Sequence, residues 1–442
     1  MSSKRFCSMA SRRFGYVLIG LFFFGILCCR REPSTRNMEK QEPPYKAWSS
    51  EPPADCPFPK SSDITGIAFT GRHTRYSNAD TWYPSWAENG NLYSPWTDGS
   101  VNNVTSSSGG PQATTGYATI IGDDPLHLQI TDVGVYAGNP APYGGRYPCG
   151  SLVCNGVWYY GTYGLMDSDG DPRKGLNADI LGPFVGFRYS TDFGKTWHDT
   201  PHTPSQPLFG EPNKPGGIVK IGSPHFVDFG KNMQYSPDGN AYLVGQGATD
   251  PDPKPRDANL SWITGDQIFM ARVAPSIENI NDRSKYEFFC GQDASGQPIW
   301  SHDFSRIKPV VDWNNNTGCV TMTYNAPLKK YLLVITDGGN TISRFNTYIL
   351  ESANITGPWK LVVYMHNFGE QGYFVNIPSK FTSPDGRTAW LCYAANFTNT
   401  GDLHTGYLDN PPGGGYGMTL QEFKLLSDQG GSQASANLAK AK

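Results

Sequence analysis

Two aspartates, Asp80 and Asp98, flank a predicted β-hairpin and are the residues best placed to do chemistry. The hairpin spans residues 81–96 (TWYPSWAENGNLYSPW) and turns at Glu88-Asn89-Gly90, so the two carboxyl groups stand at the same end of neighbouring strands. Because such strands lie about 4.8 Å apart, we expect the pair to fall within the ~5–9.5 Å at which two carboxyl groups cooperate in glycoside hydrolysis. We assign the role of base or nucleophile to Asp80. The structural alternative is a Thr97-Asp98-Gly99 turn and a strand cap at Asp80.

Aromatic and polar side chains in the other strand-entry and strand-exit loops would complete a sugar-binding site. Flat aromatic faces stack on sugar C–H groups, and Arg146 is the predicted counter-charge of the ionised carboxylate. His225 would contact substrate or act as a base; its alternative is a packed, structural role. The predicted substrate-binding residues are Trp82, Trp96, Arg146, His225, Trp313 and Glu370.

No metal or other cofactor is predicted. The run Asp167-Ser168-Asp169-Gly170-Asp171 resembles the start of a calcium loop, but its sixth position is Pro172 and its twelfth is Ala178, whereas such loops need Gly and Glu there. A solvated loop is therefore the favoured interpretation, and calcium is the minor one.

The elements that must position these residues recur as five hairpins. Each hairpin has an aromatic or β-branched strand, a turn and a second strand, and the Asn-Gly and Asp-Gly turns supply the positive φ angles that tight hairpins need. Their first strands are predicted to start near Thr81, Pro148, Ser223, Gly318 and Tyr373. Five such units in an all-β chain predict a five-bladed β-propeller of four-stranded blades.

Two further features fit this architecture. Ser190-Thr191-Asp192-Phe193-Gly194-Lys195-Thr196-Trp197 is a full Asp-box, a hairpin motif that is common in sialidases and whose role is structural. The stretch 64–69 is predicted to close the ring by adding the outer strand to the last blade.

Composition and the N-terminus indicate an exported protein. The 442 residues contain 50 Gly, 35 Pro and 13% aromatics, which suits many short strands joined by turns. The net charge of -3 gives no support for nucleic-acid binding. Lys4, Arg5, Arg12 and Arg13 precede the apolar stretch Gly15–Cys29, which is short for a spanning helix and typical of a signal peptide.

The predicted domain organisation has four parts. Residues 1–31 are a signal peptide or membrane anchor, 32–62 a Pro-rich linker, 63–428 the propeller and 429–442 a disordered tail. The protein is therefore expected to be secreted or anchored at the cell surface. Six cysteines follow the targeting segment, and disulfides or small buried hydrophobes are both open for them.

Several of these segments resemble a known group of enzymes. The strand entry Asn78-Ala79-Asp80-Thr81, the strand exit Trp96-Thr97-Asp98-Gly99, the Asp-box and the 351–359 segment (ESANITGPW) resemble five-bladed propeller glycosidases. The last segment is similar to one in arabinanases and β-xylosidases. The first hairpin looks most like an uncharacterised-domain group that includes endo-D-arabinofuranases. The resemblance implies that Asp80 and Asp98 are catalytic, although no Glu-Gly-Pro-type acid is found in the third blade, where arabinanases and xylosidases have theirs.

These observations predict a glycoside hydrolase that cleaves a polysaccharide or oligosaccharide, which the resemblance suggests is a furanoside. The alternatives are a non-catalytic carbohydrate-binding or surface propeller, a sialidase-like enzyme, and a lyase with a Tyr/His pair. A non-catalytic binder would have dispersed carboxylates in its funnel, whereas a hydrolase would have paired ones.

Overall fold

A computed structural model describes eight stretches of the chain: residues 46–109, 112–137, 146–166, 180–212, 218–256, 260–339, 343–397 and 410–427. All of them belong to one compact unit, residues 42–442. The predicted signal or anchor segment 1–31, the calcium-like run 167–171 and the predicted tail 429–442 lie outside the described residues. Within the eight stretches, no helix is long and apolar enough to cross a membrane.

The described chain forms five antiparallel sheets arranged as the blades of a propeller, which confirms the predicted five-bladed all-β fold. Two strands precede the first blade: β1 (Lys46–Ala47) and β2 (Gly66–Tyr76). The first blade contains β3 (Asn78–Asp80), β4 (Ser85–Trp86), β5 (Leu92–Val101), β6 (Val104–Ser106), β7 (Thr114–Ile121) and β8 (Gln129–Ala137). The second contains β9 (Arg146–Cys154), β10 (Val157–Met166) and β11 (Ile180–Ser190).

The remaining blades complete the ring. The third contains β12 (His225–Phe226), β13 (Ala241–Gly247), β14 (Gly265–Val273), β15 (Glu287–Gln292), β16 (Pro298–Ser301) and β17 (Pro309–Thr317). The fourth contains β18 (Val320–Asn325), β19 (Lys330–Asp337), β20 (Asn346–Ser352) and β21 (Lys360–Met365). The fifth contains β22 (Tyr373–Asn376), β23 (Thr388–Ala394) and β24 (Met418–Leu426). The described helices are four 3-10 turns at Lys231–Met233, Arg283–Lys285, Phe304–Arg306 and Ser379–Phe381. Strand number varies between blades, so the expectation of four strands in each is corrected.

The turn of the second-blade hairpin has the geometry that its Asn-Gly sequence predicts. In the second blade Val157 pairs with Cys154, so the turn has only two central residues, and both have positive φ: 51° at Asn155 and 76° at Gly156. This is the geometry that a tight hairpin demands and that Asn-Gly tolerates best.

Ring closure follows the predicted route. β2 pairs with β24 from Gly66 opposite Leu426 to Tyr76 opposite Met418, so a strand from the N-terminal side completes the last blade. The predicted linker, however, needs correction from Lys46 onward. Trp48 packs on Phe69, and the Ser61 hydroxyl donates to Glu351 at 2.8 Å, so residues 46–62 are part of the propeller.

Inner strands from all five blades meet around the propeller axis. They line a cavity of about 40 Å³ whose polar wall includes Ser85, Ser151, His225, Thr321 and Asn376. Between blades, the core is aliphatic and aromatic. The six cysteines of the described residues are all free, and five are buried, so they serve as small hydrophobes.

Candidate active site

The first blade places Asp80 and Asp98 on adjacent strands, although β5 continues past Asp98 to Val101, so Asp98 is not at the strand exit as predicted. Asp80 ends β3, where it pairs with Thr97 of β5, and Asp98 is the next residue of β5. Two residues here have left-handed backbones, with φ of 65° at Thr81 and 46° at Asp98. Only glycine fits at position 99, because a Cβ there would collide with the Asn78 carbonyl. Non-glycine residues hold such backbones only where their surroundings impose them, often at functional sites.

Asp80 is buried and surrounded by hydroxyl groups. The Thr81 hydroxyl donates to Oδ1 at 2.8 Å, and the Tyr373 hydroxyl donates to Oδ2 at 2.7 Å. The Tyr416 hydroxyl lies 3.2 Å from the same Oδ2 and 2.5 Å from the backbone oxygen of Asp98. Tyr416 thus connects the two aspartates.

Asp98 is half-buried and held by a single residue. Ser108 donates its backbone N–H to Oδ1 at 2.7 Å and its hydroxyl to Oδ2 at 2.5 Å. Two donors, one on each oxygen, stabilise the ionised form of this carboxyl group. Its partial exposure leaves it accessible to a water molecule or a substrate.

Burial, charge and hydrogen bonds act differently on the pKa values of the two aspartates. Burial, and then the charge of Asp98, raises the pKa of Asp80 to about 8 in spite of the hydroxyl donors. Burial also raises the pKa of Asp98, while its two hydrogen bonds from Ser108 lower it. Tyr416 has one hydroxyl proton, and its shorter contact is with the Asp98 carbonyl. Its oxygen can therefore accept a hydrogen bond from a protonated Asp80. The arrangement therefore favours a neutral Asp80 beside an ionised Asp98.

Aromatic rings form one wall of the site. Trp262 and Phe397 are half-buried, and each packs on Tyr373, at ring-centroid distances of 5.3 and 5.7 Å. Tyr373, Tyr416 and Ser108 were not among the residues predicted from sequence. The one available signal was the position of Tyr373 at the predicted start of an inner strand; Ser108 and Tyr416 reach the site through loops whose course no local pattern fixes.

The three tryptophans predicted to bind substrate belong to the core, and those assignments are corrected. Trp82 and Trp96 are fully buried and stack on each other at 6.4 Å; their indole N–H groups donate to the carbonyls of Ala79 and Tyr117. Trp313 is buried and packs edge-on against Tyr348. Trp96 and Trp313 lie within β5 and β17, and Trp82 lies in the segment between β3 and β4.

The three polar residues predicted beside them have other partners. Arg146 donates to Thr162 and pairs with Asp199 at 3.2 Å, rather than serving Asp80 or Asp98 as predicted. His225 is buried with its ring 3.7 Å from that of Tyr83, and burial lowers its pKa to about 3, so the packed interpretation fits its surroundings.

Glu370 is the remaining predicted site residue. Its carboxylate pairs with Arg344 at 2.6 Å, in the loop that leads to Tyr373. It thus lies close in sequence to a ligand of Asp80 and supports the loop that carries it. No group of three or more His, Cys, Asp or Glu side chains within the eight described stretches is arranged to hold a metal ion.

Comparison with known proteins gives structural matches only. No family model and no curated protein matches the sequence. A GH43_1 enzyme from Xanthomonas citri is similar over 79% of this chain and 89% of its own, at a TM-score of 0.42 and 14% identity. The GH43 endo-arabinanase from Bacillus licheniformis matches over 79% and 95%, at 0.37 and 11%.

A third solved structure, an exo-1,5-α-L-arabinanase from a bovine ruminal metagenomic library, matches over 79% of this chain and 94% of its own, at a TM-score of 0.39 and 11% identity. Two of these three neighbours are arabinanases, one of the enzyme groups that the sequence resemblance named.

Proposed function

We propose that the protein is a glycoside hydrolase that cleaves a glycosidic bond in a polysaccharide, with Asp80 as the acid and Asp98 as the base or nucleophile. The observation that carries the proposal is the pairing of two carboxyl groups on adjacent strands, linked by Tyr416. This reverses the roles that strand position alone favoured, because burial and the charge of Asp98 raise the pKa of Asp80 to about 8, so Asp80 stays protonated near neutral pH.

In this mechanism Asp80 donates its proton to the departing glycosidic oxygen. Asp98, kept ionised by Ser108, attacks the anomeric carbon or removes a proton from the attacking water. Tyr373 then stabilises the carboxylate that Asp80 becomes, because its hydroxyl already donates to Oδ2 at 2.7 Å, and the Tyr416 hydroxyl lies 3.2 Å from the same oxygen. The half-buried ring of Trp262 offers a stacking surface for a sugar.

A non-catalytic carbohydrate-binding propeller is less well supported, because the carboxyl groups are paired. A Tyr/His lyase has one observation in its favour, the contact between Tyr83 and His225, but both residues are buried. An unsaturated product that absorbs in the ultraviolet would identify a lyase.

The test is a screen of the purified protein against a polysaccharide panel that includes arabinans, arabinoxylans and D-arabinofuranose polymers, read as new reducing ends. Asp80→Asn and Asp98→Asn should each lower the rate ~10²–10⁴-fold, as for other acid–base groups. Asp132→Asn is the matched control: Asp132 lies in the same blade, is exposed and has a comparable φ of 49°. Full activity of both site variants on a polymer that the wild type cleaves would refute the assignment.

Activated substrates separate the two roles. An aryl glycoside with a good leaving group needs little acid assistance, so Asp80→Asn should recover most of its activity on it. Azide should rescue Asp98→Asn, because a small nucleophile replaces the missing one. The opposite pattern would return the acid role to Asp98.

Export is part of the same proposal. Residues 1–31 are proposed to direct secretion or to tether the protein at the cell surface, where a polysaccharide substrate is accessible. Cell fractionation that finds the full-length chain soluble in the cytosol would contradict this location.

A further inference from the structure

Two arginines are buried together where the first and second blades meet. Arg188, on β11, is 1% exposed, and Arg146, at the start of β9, is 2% exposed. The Arg188 guanidinium lies 4.1 Å from the ring centroid of Tyr136 and 5.0 Å from that of Tyr160. Its Nη1 donates to the Thr115 hydroxyl at 2.9 Å.

One edge of the Arg188 guanidinium has no partner among the described residues. Its Nε and Nη2 are buried and make no hydrogen bond to the residues that the structure describes. These two nitrogens share one side of the guanidinium plane and present two parallel N–H donors, the geometry that binds carboxylates and other small anions. Arginine does not lose its proton in proteins. The buried Arg188 guanidinium is therefore positively charged, and two of its N–H donors have no acceptor among the described residues.

The nearby charges do not balance. Arg146 pairs with Asp199 at 3.2 Å, and Asp199 is 36% exposed and also accepts the Thr200 N–H at 2.9 Å. The largest electrostatic influences on Arg188 from the surrounding strands and loops come from Arg146, Tyr160, Asp199 and Tyr136. The ion pairs of the described residues thus give two buried guanidinium groups a single carboxylate.

Arg272 also stacks on an aromatic ring, and it has the carboxylate partners that Arg188 lacks among the described residues. Arg272 lies 4.3 Å from the ring centroid of Trp300, but it is 20% exposed and pairs with both Asp238, at 3.1 Å, and Glu287, at 2.8 Å. Arg188 has the same aromatic support and more burial, without the acids. A buried ion is stable only when it is paired and its donors are satisfied.

We propose that a small monovalent anion binds the Nε/Nη2 edge of Arg188 and neutralises the arginine pair. The arginine pair is connected to the aspartate pair, because the Arg146 backbone N–H donates to the Ser108 carbonyl at 2.9 Å and Ser108 holds Asp98. The anion would therefore stabilise the junction of the two blades and the loop that carries Ser108. The inference is independent of the reaction that the protein catalyses.

The first experiment measures thermal unfolding of the full chain while chloride replaces gluconate at constant ionic strength. Gluconate is too large to enter a buried site. Chloride should raise Tm along a saturable curve, by about 2–4 °C at a hundredfold excess over its Kd. Arg188→Met should abolish this dependence, whereas Arg272→Met should retain it. A Tm that does not respond to chloride, or that responds equally in Arg188→Met, would overturn the proposal.

Bromide provides a second measurement that does not depend on a variant that folds. Crystals of the wild-type protein grown in bromide should show an anomalous peak within hydrogen-bonding distance of Arg188 Nε and Nη2. Water or empty space at that edge, with no anomalous signal, would refute the site.

Discussion

At the scale of single residues, the site is expected to lower the stability of the fold. Asp80 is buried with its pKa raised to about 8 by burial and by the charge of Asp98, whereas in an unfolded chain it titrates near its ordinary value of 3.8. Between these two pH values the folded protein binds a proton that the unfolded chain has lost. The free energy of unfolding therefore falls as pH rises from about 4 to 8.

Asp80→Asn removes this penalty, so we expect the variant to unfold at a higher temperature than the wild type at pH 8. The gain should be on the order of a few kcal/mol there and should vanish near pH 4. Thermal unfolding of both proteins across this range is the measurement, with Asp132→Asn as the control whose difference from wild type stays small. A variant less stable than the wild type at pH 8 would show that Asp80 is ionised in the fold.

The same pKa order predicts the pH dependence of hydrolysis. The rate should fall on the alkaline side as Asp80 loses its proton, around pH 8, and on the acid side as Asp98 gains one. On an aryl glycoside with a good leaving group the alkaline limb should weaken, because the acid is then dispensable. A profile of kcat/KM against pH for both substrates checks this, and an alkaline limb that persists unchanged would assign it to another group.

At the scale of strands and turns, the sequence predicted the hairpins that carry the site better than the side chains that contact Asp80. A hairpin with an Asn-Gly or Asp-Gly turn is encoded by residues that are close in sequence, so it can be predicted from a short pattern. The turn at Asn155-Gly156 is an example. The contacts of Asp80 with Tyr373 and Tyr416 join positions about 300 residues apart, and no short pattern encodes them. Trp96 was misassigned for the same reason: its place in the core depends on Gly116, on the neighbouring strand.

That pairing gives a prediction for the first blade. Trp96 of β5 lies opposite Gly116 of β7, and a Cβ at Gly116 would collide with the indole ring. Gly116→Ala should therefore cost about 1–3 kcal/mol, as over-packing does in other cores. Gly109→Ala is the control, because a Cβ at Gly109 meets nothing within 4 Å. Chemical denaturation measures both, and equal stability of the two variants would mean that the indole has room to move.

At the scale of the whole molecule, the ring is closed from two directions. β2 and β24 join the chain's N-terminal side to its last blade, and residues 46–61 continue this closure across the fourth and fifth blades. Ala47 pairs with Ala68, and Trp48 packs between Phe69 and Phe368. Further along, Phe58 meets Trp313 edge-on at 5.9 Å.

The segment also satisfies a buried acid. Glu351 is 1% exposed; it accepts the Ser61 hydroxyl and pairs with Lys330 at 2.9 Å, while Lys330 also reaches Asp63 at 2.6 Å. Polar composition alone suggested a linker here, because Pro-rich sequences are usually solvated. The apolar side chains of Trp48 and Phe58, spaced along the polar stretch, are what attach it to the propeller.

Two truncations test whether this segment belongs to the fold. A protein that starts at Lys46 should unfold at the same temperature as the full chain, because every contact described above is retained. One that starts at Ser62 loses the packing of the half-buried Trp48 and Phe58, each worth less than the ~1.5–3 kcal/mol of a fully buried side chain, and leaves Glu351 without the Ser61 hydroxyl. It should unfold several degrees lower, and Trp48→Ala in the full chain should give part of the same loss. If the protein that starts at Ser62 matches the full chain in Tm, residues 46–61 are a linker, as their composition alone suggested.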